Sequence, residues 1–397
     1  MSSTNRKYEV VVIGGAGHIG APLSILLAAQ GVPTLICDIN EESLEILKGG
    51  KLPFLENQGE ELLLKALSMD TLGFTNDHTK IQGIPYVILT IGTPIDEFHN
   101  PVFSLLTNCV DKIIPYLNKD QVLILRSTVA PGTTHFLEQY LRKRDCEALL
   151  SFCPERVVQG KAIEEIRQLP QLVSGTSTEA FEKAKNLFLE LAPEVVEATP
   201  AEAEFAKLIC NAYRYIEFAA TNQMYMLVES AGVDYIKLLD KMKKGYPRMA
   251  SIPGPGFAAG PCLMKDTMQL GSFSKKDFVL GQVATLINEG LPDFIVSQLG
   301  GSQKLKGKKV GILGMAFKAQ SDDIRDSLSF KLGKTLLFHG AEVLCCDPYA
   351  RHSSFTSESE VLEKCGILII GVPHVRYAEL TFPAKTKVVD LWGITRR

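Results

Sequence analysis

The chain has 397 residues, 46% hydrophobic and 22% charged, an ordinary globular composition with length for two or three domains. Its formal charge of −3 supplies no field for nucleic acid or a membrane surface, so neither is expected as a partner and an anionic ligand must meet local cations. Nine cysteines without Cys-x-x-Cys spacing argue against a zinc or disulfide framework, and no metal is expected. The polar start at 1–7, with no signal peptide and no bilayer-length apolar run, leads to an expected cytoplasmic location.

Val/Ile/Leu-rich runs ended by turn residues predict strands at 9–14, 34–39, 86–92, 121–128 and 149–154. Helical stretches alternate with them, which implies a parallel sheet covered on both faces. Directly after the first strand comes Gly15-Ala16-Gly17-His18-Ile19-Gly20, opening an apolar helix. In that context the spacing is a dinucleotide fingerprint: Gly15 for the tight turn, Gly17 for pyrophosphate approach, Gly20 for helix–strand packing. Asp38 ends the second strand about 20 residues on, where a carboxylate accepts from ribose hydroxyls and repels a 2′-phosphate. NAD is therefore the expected cofactor. Gly92-Thr93-Pro94 and Arg126-Ser127-Thr128 sit at later strand ends, where a doubly wound sheet exposes residues to its ligand.

The middle of the chain reads as helical. Thr199-Pro200-Ala201-Glu202 is a capping-box start, and helix-favouring sequence continues to 230, a rod of roughly 45 Å able to connect two domains. Next comes Gly254-Pro255-Gly256-Phe257-Ala258-Ala259-Gly260-Pro261-Cys262-Leu263-Met264-Lys265-Asp266. Small residues let this backbone lie against a ligand, and Pro261 suits a first helical position with Gly260 as its cap. The Cys262 thiol then stands at a helix N-terminus, which favours thiolate, with Lys265 and Asp266 at i+3 and i+4. A buried structural cysteine beside a Gly/Pro turn is the plainer alternative. A polar linker at 300–308 leads to strands at 309–313, 342–346, 366–371 and 386–392. The fold class is α/β: two Rossmann-like doubly wound domains joined by a long central helix and a helical middle domain. The expected boundaries are 1–198 for NAD binding, 199–300 for the helices with the cysteine loop, and 301–397 for a UDP-sugar-binding domain.

A fingerprint followed far downstream by Gly-Pro-Cys-x-x-Lys-Asp resembles the UDP-glucose/GDP-mannose dehydrogenase family of nucleotide-sugar 6-dehydrogenases. Four more segments carry the resemblance: Ser127-Thr128-Val129-Ala130-Pro131-Gly132-Thr133, Cys153-Pro154-Glu155-Arg156-Val157, Ala203-Glu204 through Lys207 and Asn211, and Gly311 to Lys318 with Asp322 to Ser327. It implies a four-electron oxidation of a sugar 6-hydroxyl to a carboxylate with two NAD per turnover. Cys262 would capture the aldehyde as a thiohemiacetal, and a thioester would follow. Asp266 would accept the proton, directly or through a water held with Asn211, and Lys207 would stabilise the oxyanion. Glu155 and Thr128 would serve the hydrolytic water.

For the cofactor the resemblance adds His18, Ile19, Lys265 and Arg325. For the sugar nucleotide it adds Arg156, Val157, Gly256, Phe257, Phe317 and Lys318, with Lys318 and Arg325 as cations for the diphosphate. Arg248 matches a residue reaching into a neighbouring subunit, which implies a homodimer. Pro-Glu-Arg-Val and Pro-Gly-Pro-Gly look most like enzymes of UDP-N-acetylmannosamine, whereas Cys-x-x-Lys-Asp looks like the UDP-glucose type. A UDP-N-acetylhexosamine is the favoured substrate and UDP-glucose the alternative. A two-electron hydroxyacid dehydrogenase would need neither Cys262 nor a second α/β domain. A catalytically silent binding protein would not need the full set of nucleophile, lysine, asparagine and aspartate.

Overall fold

The computed structural model describes residues 7–97, 100–275 and 277–396, so most of the polar start lies outside the described residues. The chain forms two compact units, Met1–Ile209 and Cys210–Arg397.

The first unit is built on strands β1 (Val10–Ile13), β2 (Thr34–Cys37), β3 (Leu72–Thr75), β4 (Tyr86–Leu89), β5 (Val122–Leu125), β6 (Leu149–Phe152), β7 (Gln171–Gly175) and β8 (Val195–Glu197). They lie in the order β3-β2-β1-β4-β5-β6-β7-β8, a doubly wound arrangement with its switch point between β1 and β4. Val10 stands in register with both Thr34 and Tyr86. Strands β1, β2 and β5 are buried at every residue, as the apolar runs of β1 and β5 and the near-apolar run of β2 require. The helix Gly20–Ala29 is buried along its whole length between them and the outer layers. Strands β3, β7 and β8 go beyond the sequence reading. They carry Gly73, Gln171 or exposed edge residues in place of an unbroken apolar run, and β8 is only three residues long. Strand β7 also runs antiparallel to β6, with Phe152 opposite Ser174, so the sheet is not parallel throughout.

The long helix is Pro200–Ser230, starting where the capping box places it. Glu202 accepts the Thr199 amide at 2.7 Å, and the Thr199 hydroxyl accepts the Glu202 amide at 3.3 Å. One turn in, the buried Glu204 carboxylate accepts the amides of Gly132 (2.6 Å) and Thr134 (2.7 Å) and the Thr134 hydroxyl (2.6 Å). It thereby caps the helix Thr133–Arg142 and anchors the segment that carries Ser127 and Thr128. Glu204→Ala is expected to cost about 2–3 kcal/mol, since it orphans buried donors, and to lower Tm in calorimetry, with Glu204→Gln in between.

The second unit holds a parallel sheet of β9 (Lys309–Leu313), β10 (Glu342–Cys346), β11 (Ile367–Ile370) and β12 (Lys387–Val389) in the order β10-β9-β11-β12. One core joins the helix Val279–Gln298 and the distal part of the long helix to this sheet through Tyr225, Leu291, Ile295, Ile312 and Leu332. The expected linker at 300–308 contains a short helix, Gly301–Leu305, because Leu305 is drawn fully into that core.

The loop after β9 repeats the loop after β1. Gly14 (φ +75°) and Gly314 (φ +96°) each donate an amide at 2.9 Å, to the carbonyls of Cys37 and Cys346. The following aspartates brace the two loops: Asp38 accepts the Ala16 amide at 2.9 Å, and Asp347 those of Met315 (2.7 Å) and Ala316 (2.9 Å). Asp347 also accepts the amides of Tyr349 (2.8 Å) and Ala350 (2.9 Å) and faces the buried His374 ring at 3.2 Å. Burial alone would raise its pKa, but these bonds outweigh it and hold the carboxyl at about 2. Among the described residues no helix is long and apolar enough to cross a membrane.

Candidate active site

The fingerprint residues line the loop that opens the helix Gly20–Ala29, with Ile19 at its N-cap. A Cβ on Gly15 would stand 2.6 Å from the Val12 carbonyl oxygen, and one on Gly20 would stand 2.5 Å from that of Gly14. Both glycines are demanded by the fold. Gly17 differs: a Cβ there meets only the Gly14 oxygen at 3.5 Å, an ordinary contact, so the protein's own packing leaves that space for a ligand. The cradle fits a pyrophosphate on a helix N-terminus, and half-exposed Asp38 keeps acceptor capacity for a ribose beyond its bonds to Ala16 and Asn40. His18 lies flat on Phe54, ring centroids 4.1 Å apart at 20°, which fixes the side chain after Gly17.

The ends of β4 and β5 are tied together. The Thr93 hydroxyl donates to the Thr128 carbonyl and the Ser127 hydroxyl to the Ile91 carbonyl, both at 2.5 Å. Lys207 is buried, only 8% exposed. Glu155 is buried as well. Its Oε1 accepts the amides of Arg156 (2.7 Å) and Val157 (3.0 Å), and its Oε2 is ion-paired to Arg126. Arg126, fully buried, also donates to the Cys153 carbonyl at 3.1 Å and to Gln171 at 2.7 Å. Arg156 turns back to the Pro170 carbonyl, and Val157 packs on the core, so both side chains have partners inside the unit. Arg126, expected at a strand end exposed to the ligand, is instead buried and turned onto Glu155, because a pairing 29 residues away leaves no local mark in the sequence.

In the second unit Cys262 is exposed and is itself the N-cap of the helix Leu263–Phe273. The helix therefore starts two residues later than Pro261 suggests. Gly260 has φ +99°, and the first helical bond is Asp266 N–H to the Cys262 carbonyl at 2.8 Å. The thiol still stands at the positive end of the helix. Asp266 is fully buried, accepts from Asn211 Nδ2 at 2.6 Å, and lies 3.5 Å from Lys265 Nζ.

Two glycines seat the cysteine loop. A Cβ on Gly256 (φ +148°) would stand 2.1 Å from the Trp392 ring, and one on Gly260 would stand 2.4 Å from the Phe317 ring. Phe257 packs edge-on against Trp392, and the Gly260 amide reaches the Asp326 carbonyl at 3.3 Å. Phe317 and half-buried Lys318 thus share the loop that closes on the cysteine segment. Arg325 offers less than the sequence suggests. Its Nε–Nη2 fork already clasps Asp323 at 2.6–3.0 Å, which raises its pKa, so that fork faces a carboxylate and not a diphosphate. Arg248 is exposed on the turn Pro247–Met249, 5.5 Å from the Tyr246 ring. Among the described residues no group of three or more His, Cys, Asp or Glu could hold a metal ion.

Three family models match, covering most of the chain. They are the NAD binding domain (residues 8–192), the central domain (201–289) and the UDP binding domain (311–397) of the UDP-glucose/GDP-mannose dehydrogenase family. The UDP-N-acetyl-D-mannosamine dehydrogenase of Methanocaldococcus jannaschii is 29% identical over 374 residues, 92% of this chain and 86% of the relative. The UDP-glucose 6-dehydrogenase of Rickettsia bellii is 27% identical over 353 residues, 86% of this chain and 81% of the relative. Among solved structures, that of the UDP-D-ManNAc dehydrogenase from Pyrococcus horikoshii shares the fold, with a TM-score of 0.89 at 24% identity. The match covers 96% of this chain and 98% of that one.

Proposed function

The chain belongs to the UDP-glucose/GDP-mannose dehydrogenase family and is an NAD-dependent nucleotide-sugar dehydrogenase, and from that premise we propose that it oxidises the C6 hydroxyl of a UDP-N-acetylhexosamine to the carboxylate through Cys262. The observation that carries this reading is the pairing of an exposed cysteine at a helix N-cap with a fully buried aspartate one turn later, held by Asn211.

NAD, when bound, supplies the hydride acceptor for each of two oxidations, and Gly15, Gly17, His18, Ile19, Gly20, Asp38 and Thr93 would hold it. In the first oxidation the C6 hydroxyl gives its proton to Asp266, directly or through a water shared with Asn211, while the Lys207 ammonium stabilises the developing alkoxide. The Cys262 sulfur then bonds to the aldehyde carbon, and the carbonyl oxygen takes up a proton to give a thiohemiacetal. Capture on sulfur keeps the aldehyde from leaving. Loss of the second hydride and a proton leaves a thioester. Water held by Glu155 and Thr128 attacks it, the C–S bond breaks, and the carboxylate and thiol are released. Phe317, Lys318 and the backbone at Gly256 and Phe257 would seat the sugar nucleotide.

Pro154-Glu155-Arg156-Val157 and the Gly-Pro-Gly lead into the cysteine loop support UDP-N-acetylmannosamine over UDP-glucose, as do the names of several relatives. Purified protein with NAD should be offered UDP-N-acetylmannosamine, UDP-N-acetylglucosamine, UDP-glucose and GDP-mannose. The expected result is the highest kcat/KM on UDP-N-acetylmannosamine with two NADH per sugar. A ratio of one would overturn the four-electron reading, and a preference for UDP-glucose would overturn the substrate. A homodimer in which Arg248 reaches the other copy's sugar is part of the same proposal.

A further inference from the structure

The cysteine loop is held by a buried amide that no step above uses. Asn222, on the long helix, is fully buried. Its Oδ1 accepts the Gly256 amide and its Nδ2 donates to the Gly256 carbonyl, both at 2.9 Å. One side chain thus satisfies both main-chain groups of one loop residue, as a neighbouring strand would. The second Nδ2 hydrogen goes to Asn288 Oδ1 at 2.9 Å, and Asn288, also fully buried, donates to the Tyr215 carbonyl at 3.1 Å. This chain of bonds fixes the orientation of both amides, because turning either over would set oxygen against oxygen.

Gly256 is also constrained by its ring contact. The Trp392 ring occupies the place a side chain would take, so the residue is held by an indole as well as an amide. Phe257 and Ala258, next along the chain, are buried and transmit that position toward Gly260 and the Cys262 cap. We infer that Asn222, backed by Asn288, is a positioning residue for the nucleophile: its clamp on Gly256 sets the register in which the loop delivers the Cys262 sulfur. The inference rests on the reading of Cys262 as the nucleophile.

The test compares Asn222→Leu, of similar volume without hydrogen bonds, with the milder Asn222→Ser, which leaves room for a bridging water. A displaced sulfur slows capture, so kcat for acid formation should fall about 100-fold in Asn222→Leu and less in Asn222→Ser, with KM for NAD within about twofold. Iodoacetamide labelling of Cys262 without substrate, located by peptide mass because Cys210 is exposed too, should change rate in the same order. Aldehyde trapped by a hydrazine should rise as acid falls. Variants that both keep kcat and labelling rate within about twofold would overturn the clamp. So would an Asn222→Ser variant whose loss of activity tracks a fall in Tm and a weakened NAD affinity, since that is general destabilisation. Labelling that changes while acid formation does not would instead sink the nucleophile reading and leave the clamp standing.

Discussion

Cys262→Ser is expected to abolish acid formation, lowering the rate of the two-NADH reaction by at least about 10³-fold. The hydroxyl is a far weaker nucleophile than a thiolate at neutral pH, and a helix N-terminus cannot make up that difference. Because Cys262 is exposed and serine is nearly isosteric, Tm and NAD affinity should hold. Product acid measured by mass spectrometry, together with NADH absorbance, decides the point. Acid formed by the serine variant at the parent rate would remove sulfur from the mechanism. Aldehyde formed without acid would locate the loss in the second half.

Asp266→Asn should reduce kcat by about 10²–10⁴-fold, the usual range for removing a general base. The substitution is nearly isosteric, and the new amide can turn its oxygen to Asn211, so the 2.6 Å contact survives. Asp266 Oδ1 is buried, pairs loosely with Lys265 Nζ at 3.5 Å and accepts no hydrogen bond among the described residues, so it keeps a lone pair for a substrate proton. In the variant the acceptor is gone while burial and packing remain. KM for the sugar should change little. A variant with kcat within about threefold of the parent would move the proton acceptor elsewhere.

The fingerprint and the capping box were legible because their physics is local: a turn, a close approach and a reciprocal bond within six residues or fewer. The apolar runs of β1, β4 and β5 were legible for a similar reason, since burial on both faces leaves no polar alternation to misread. Strand β8, three residues long and half-exposed or exposed, carries no such mark. The cysteine cap shows the limit within a motif: Pro261 suited the first helical turn, yet Gly260 stands at positive φ with Phe317 where a side chain would be, and the helix begins only at Leu263. Long-range polar pairing was the least visible. Asn222 meets Gly256 34 residues away, and Glu204 caps a helix from 70 residues away. Neither has a local sequence signature.

The Asp347 network has a consequence for how turnover is timed. Its two oxygens accept four main-chain amides and face an imidazole, so the carboxylate that matches Asp38 has no lone pair to offer an adenosine. The loop after β9 therefore does not offer a second dinucleotide seat of the kind formed after β1. On the proposed four-electron reaction, both electron pairs would then leave through the seat after β1 in succession, so the reduced dinucleotide would depart and a fresh one settle while the half-oxidised sugar stays tethered.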